Sequence, residues 1–134
     1  MIVDTSALIA VLQGEPGSEA MIDAIDLGGR IPAPVLVEYR RVVTKRGARE
    51  NAVAEASLRK LRERLQVEPF TAEDAELAAA ANLTYGAGNR RGGRLNLVDL
   101  MVYAVAKRLR APILCTGGDF AATDAEIHPA SRTD

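Results

Sequence analysis

Four carboxylates, Asp4, Glu38, Asp99 and Asp119, are the chain's main chemical resource, because the local pattern around each sends it toward one edge of one parallel sheet. Crowded together without a counter-charge, they would repel. Three or four such groups have a natural partner in a hard divalent cation with oxygen ligands, Mg²⁺ or Mn²⁺. Such a cation can orient a water, lower its pKa and stabilise the charge that builds on a phosphorane-like transition state, so phosphodiester hydrolysis is the matching reaction. Asp124, five residues beyond Asp119, competes with it for the fourth place.

Scarce residues exclude the rival chemistries. With one His and one Cys in the chain, a disulfide framework, a Cys/His zinc site and any two-histidine mechanism are ruled out within one copy. His128, beside Pro129, reads as surface structure, and Cys115, at the end of Ile113-Leu114-Cys115, reads as a buried strand thiol. Hydrolysis, if the chain performs it, must rest on carboxylates.

Each acid also has a plainer reading. Asp4, Thr5 or Ser6 could simply cap the helix that follows. Asp99 sits at the third helical position after an Asn96 cap, where an acid favours the helix dipole, inside the run Leu97 to Ala106 that is apolar on nearly every side. An isolated carboxylate buried in such a helix is costly unless paired, hydrogen-bonded or metal-bound. Glu38 could pair on the surface with Arg41 three residues on, and Asp119 could serve only as a turn residue after Gly117-Gly118.

The elements that must position these groups alternate between short β-like runs and longer helical patterns, which predicts an α/β chain with a parallel sheet covered by helices. Strands are predicted at Ile2-Val3, around Ile31, over Gln66 to Phe70 and over Pro112 to Cys115, with a last short one near Glu126 to His128. Helices are predicted over Ser6 to Leu12, ending near Gly14, and over Ser18 to Leu27, stopped by Gly28-Gly29. Another starts at Pro34 and runs to Val43, and the next covers Glu50 to Leu65, where Ala54, Leu58, Leu61 and Leu65 recur at helical spacing. Thr71 and Asp74 form a capping box for a helix to about Leu83, and Asn96 caps one that runs to about Leu109. Between them, Gly86 to Arg94 reads as a flexible loop.

A length of 134 residues, with 48% hydrophobic and 26% charged, fits one globular domain over 1–134. No apolar run approaches the ~20 residues that span a bilayer, and Asp4 falls where a secretory signal would be basic and then apolar. No membrane association and a cytoplasmic location are therefore expected.

The string Met1-Ile2-Val3-Asp4-Thr5-Ser6-Ala7-Leu8-Ile9-Ala10, then Glu38, Leu95-Asn96-Leu97-Val98-Asp99 and Gly118-Asp119-Phe120-Ala121-Ala122-Thr123-Asp124, resembles the PIN-domain family and, within it, VapC-type toxins of bacterial toxin–antitoxin systems. The resemblance covers nearly the whole chain. It implies a three-layer α/β fold, a parallel sheet of four to five strands with helices on both faces, and Mg²⁺-dependent endoribonuclease activity on tRNA or rRNA. By position, Asp4, Glu38, Asp99 and Asp119 match the acidic quartet, with Asp4 and Asp99 as direct metal ligands, while Thr5, Ser6, Asn96 and Thr116 match polar positions around it. Related toxins often carry Gly-Asp-Cys where this chain has Val98-Asp99-Leu100, a departure that removes no metal ligand. The resemblance also implies a homodimer and a small VapB-like antitoxin.

Other readings fit less well. A haloacid dehalogenase-type phosphatase needs a second Asp two residues after the first, where this chain has Ser6, and a receiver domain needs paired acids and a late Lys. The alternative is a degenerate PIN module that binds RNA or a partner without cleaving, against which the intact quartet argues. A net charge of −1 gives no overall basic footprint for RNA. Phosphate contacts must then come from local groups: Arg90, Arg91 and Arg94 in the glycine-rich loop, and Arg40 and Arg41 beside Glu38.

Overall fold

The computed structural model describes residues 1–134. The chain runs β1 (Ile2–Val3), α1 (Thr5–Gln13), α2 (Ser18–Asp26), β2 (Gly29–Pro32), α3 (Ala33–Thr44), α4 (Ala48–Leu61), β3 (Leu65–Glu68), α5 (Ala72–Tyr85), α6 (Leu97–Leu109) and β4 (Ile113–Leu114). All strand pairs are parallel, in the order β3-β2-β1-β4. The expected α/β fold, a parallel sheet flanked by helices, is therefore present.

That order fixes where a ligand can sit. From β1 the chain steps outward to β2 and β3, then crosses back through α5 and α6 to place β4 on the other side of β1. The crevice beyond the carboxyl ends of β1 and β4 is a topological switch point, the usual ligand site of an open parallel sheet. Beside β4, a fifth strand is only sketched: Ile113 pairs with Ile127 and Thr116 with Arg132 as isolated bridges.

The strands are apolar because they are covered on both faces. Ile2, Val3, Ile31, Ile113 and Leu114 are all buried, and they pack with Leu8, Met21, Ile25, Tyr39, Leu58 and Val102 from the helices in a core of 25 buried residues. Tyr39 keeps its polar end satisfied by donating to the Ala54 carbonyl at 2.9 Å, which ties α3 to α4. No helix is long and apolar enough to cross a membrane.

Three sequence expectations need correction. The helix predicted to reach Leu65 stops at Leu61, and Leu65 opens β3 instead. Its side chain continues the helical spacing, but the same burial is reached from the strand, 3% exposed, after the turn Arg62 to Arg64. The strand predicted to reach Phe70 ends at Glu68, because Pro69 has no N–H to give the ladder. The α6 helix is not apolar-buried throughout: Leu97 is 69% exposed, so its first turn emerges at the sheet edge.

A partly buried ion network, not anticipated from the sequence, fastens the opposite end of α6. Arg108 donates to Asp74 at 2.6 and 3.0 Å and to Glu68 at 3.0 Å, and Glu68 also receives Arg30 at 2.7 Å. Asp74 is fully buried. Burial alone would raise its pKa, but the Arg108 guanidinium and the Thr71 capping bonds outweigh that and hold it below the usual carboxylate range.

Candidate active site

Asp4 leaves β1 with extended backbone and caps α1, so its carboxylate is pinned at the switch point. One oxygen, Oδ2, accepts from the Ser6 backbone N–H at 3.0 Å and from the Ser6 hydroxyl at 2.6 Å. The other, Oδ1, is buried with no partner, and so is the neighbouring Thr5 hydroxyl oxygen. A buried, half-satisfied carboxylate is expensive and waits for a partner. Burial pushes its pKa up, the Ser6 bonds pull it back, and the charge of Glu38 pushes it up again.

Asp99 reaches the same place from α6. Asn96 and Asp99 form a reciprocal capping box, Asn96 Oδ1 accepting the Asp99 N–H and Asp99 Oδ2 accepting the Asn96 N–H, each at 2.9 Å. The capping role read from the sequence is therefore present, and it leaves Asp99 Oδ1 outside the box. Burial raises the Asp99 pKa to about 7, against the pull of the Asn96 bond, and the charges of Asp4, Glu38 and Asp119 add to the rise. The charges of Asp4, Glu38 and Asp119 are thus all felt at Asp99. Glu38, half-buried on α3, takes part in no ion pair, so the surface pair with Arg41 is absent.

Asp119 follows β4 on an exposed loop, where its Oδ1 accepts the Arg94 backbone N–H at 3.1 Å. Asp124 is committed elsewhere. It accepts from the Tyr103 hydroxyl at 2.5 Å and Lys107 at 3.0 Å, and the Tyr103 bond, then Lys107, hold its pKa down. Thr116 lies between β4 and Asp119 and donates its backbone N–H to the Ser6 hydroxyl at 2.9 Å.

No three of the acids converge on a common point. The donors nonetheless suit a hard cation: all are oxygens, Asp4 Oδ1 is buried and unpartnered, and Asp99 titrates near neutrality. Among the predicted phosphate contacts, Arg40 is taken up by Glu55 on α4 at 2.9 and 3.3 Å. Arg41, Arg90, Arg91 and Arg94 are exposed and form no ion pair, and Arg91 lies 5.5 Å over the Tyr85 ring.

The profile of the PIN domain matches residues 1–126. The chain belongs to the PIN-domain family. Among PIN-domain proteins it is similar to the ribonuclease VapC36 of Mycobacterium tuberculosis, 40% identical over 132 residues that cover 95% of this chain and 92% of the relative. Its fold is similar to the crystal structure of M. tuberculosis VapC20, a sarcin-ricin loop cleaving toxin, with a TM-score of 0.74, 24% identity and 96% and 98% coverage of the two chains. It also resembles VapBC2 of Rickettsia felis bound to a DNA fragment from their promoter, with a TM-score of 0.71, 14% identity and 99% and 96% coverage. The expected PIN-like fold and VapC kinship both stand.

Proposed function

We propose that this PIN-domain protein is a metal-dependent endoribonuclease and the toxin of a toxin–antitoxin pair. The observation that carries the reading is Asp4 Oδ1, a buried carboxylate oxygen without a partner at the switch point, electrostatically coupled to Glu38 and Asp99. Asp4 and Asp99 are the direct ligands, and Glu38 and Asp119 complete the negative field. When bound there, Mg²⁺, or Mn²⁺ in its place, lowers the pKa of the attacking water and neutralises charge on the scissile phosphate. Ser6 orients Asp4 through two hydrogen bonds, and the Asn96 N–H fixes one Asp99 oxygen. Thr5 offers a free hydroxyl oxygen, and Thr116 ties the edge of β4 to Ser6. Arg41, Arg90, Arg91 and Arg94 hold RNA phosphates.

The substrate class is structured RNA, a tRNA or rRNA, met in the cytoplasm. The family likeness to VapBC2 supports a VapB-like antitoxin, and the acidic crevice suits an antitoxin Arg or Lys in the cation's place. Val37 and Val53, 70% and 57% exposed on α3 and α4, offer apolar contacts for an amphipathic segment or for the mate in a homodimer. The test is cleavage of a tRNA and rRNA panel by the purified chain. Cutting with Mg²⁺ or Mn²⁺, loss in EDTA and 5′-phosphate ends are expected; activity that persists in EDTA, or 2′,3′-cyclic phosphate ends, overturns the reading.

A further inference from the structure

The segment Gly86 to Arg94, expected to be a flexible loop, is instead an organised one. Leu95 closes its neck by donating to the Tyr85 carbonyl at 2.9 Å. Half-buried Asn89 fills the space inside. Its amide nitrogen faces the carbonyls of Tyr85, Gly86 and Gly93 at 2.9, 2.7 and 3.0 Å, while its oxygen accepts the Arg91 N–H at 2.7 Å. One side chain therefore gathers both ends of the loop and its tip.

The far end of that loop rests on Asp119. A Cβ on Gly93 would lie 3.0 Å from Asp119 Cα, 3.0 Å from Ala122 Cβ and 3.1 Å from Asp119 Oδ1, so glycine is what permits the approach. The next residue, Arg94, gives its backbone N–H to Asp119 Oδ1 at 3.1 Å. Asp119 is itself exposed on a short loop and has no other side-chain hydrogen bond that would fix it. A backbone N–H orients a carboxylate without cancelling its charge, whereas a guanidinium would neutralise it.

We infer that Asn89 is a positioning residue: it shapes the 86–94 loop so that Gly93 and the Arg94 N–H hold Asp119 in place at the acidic edge. The inference rests on the reading of Asp119 as part of the catalytic quartet. It gives the loop a second duty besides carrying arginines, and the two duties separate by experiment.

Amide hydrogen exchange on the full metal-free chain reads the loop directly. The Arg94 amide is expected to be protected in the parent, and to exchange faster in Asn89→Ala, Gly93→Ala and Asp119→Ala. Calorimetric Mn²⁺ titration and RNA cleavage read the consequence: Asn89→Ala is expected to weaken Mn²⁺ binding about 10-fold, the usual effect of disturbing a group that supports a metal's direct ligands. In an Asp119→Ala background the same change should alter Mn²⁺ binding less than about 2-fold, because both act through one carboxylate. Undiminished Arg94 protection in Asn89→Ala overturns the inference. So does a full loss of Mn²⁺ affinity, about 10-fold, on Asn89→Ala in the Asp119→Ala background, which would mean that Asn89 acts on the site by a route other than Asp119. A parent chain that binds no Mn²⁺ and cuts no RNA would overturn the proposed function, and the exchange measurement would still decide whether Asn89 holds Asp119.

Discussion

The hydroxyl of Ser6 joins two strands' ends: it accepts the Thr116 N–H at 2.9 Å and donates to Asp4 Oδ2 at 2.6 Å. One atom therefore orients the Asp4 carboxylate and locks the β4 exit against the start of α1. Ser6→Ala is expected to cost about 1–2 kcal/mol of stability, because two polar partners are left in a partly buried site. It should also lower RNA cleavage or metal affinity by roughly 10–100-fold, while Ser6→Thr, which keeps the hydroxyl, restores most of it. An unchanged metal titration in Ser6→Ala would remove Ser6 from the site.

Asp99 makes stability depend on pH. Its pKa rises from 3.8 to about 7 through burial and then the charges of Asp4, Glu38 and Asp119. A raised carboxylate pKa means that the folded state holds the proton more tightly than the unfolded one. The associated stability is complete below about 3.8 and is lost as pH climbs through about 7. In EDTA, the Tm should fall between pH 5 and 8. Asp99→Asn should flatten part of that fall and raise the Tm at pH 8, leaving the contribution of Asp4, whose pKa shifts the same way. Thermal scans across this range check it, and an identical slope in Asp99→Asn refutes it.

Asp119 and Asp124 should separate cleanly. Asp119→Ala is expected to reduce cleavage about 100-fold or more, comparable to the loss of a group acting on the transition state. Asp124→Ala frees the Tyr103 hydroxyl and Lys107, so it should lower stability by about 1 kcal/mol with little change in kcat. The reverse order at saturating Mg²⁺ would put Asp124, not Asp119, in the quartet.

The two roles proposed for Arg94 fall on different atoms. Arg94→Ala keeps the backbone N–H that holds Asp119, so kcat should survive. KM for RNA should rise, and the salt dependence of binding should lose about one phosphate's worth of slope. Binding by a cleavage-dead Asp4→Asn chain, measured across a range of salt, isolates this effect.

Arg108→Ala leaves Asp74 fully buried without its cation and Glu68 with only Arg30. Breaking such a network costs about 3–5 kcal/mol, so denaturant unfolding should move sharply. Activity per folded molecule should hold, since the network sits at the end of α6 away from Asp99.

The sequence by itself determined the kind of chemistry and most of the frame. Strand-helix alternation, the Asn96 and Thr71 caps and the scarcity of His and Cys are local or compositional facts, and they carried the parallel sheet, the proposal of the acidic quartet and the exclusion of rival mechanisms. Local rules failed where burial alone sets the boundary, as at Leu65, which fits a helix face and a strand equally well. Only the tertiary structure gives Asp124 other partners, because Tyr103 and Lys107, some twenty residues earlier, bond it while Asp119 accepts only the Arg94 N–H. It also turned an apparently loose glycine-rich string into a support for Asp119, since Asn89's partners are carbonyls whose directions no residue type encodes. The same holds for Asp4: its sequence position allows a cap or a ligand, and only packing leaves one oxygen bonded to Ser6 and the other buried and free.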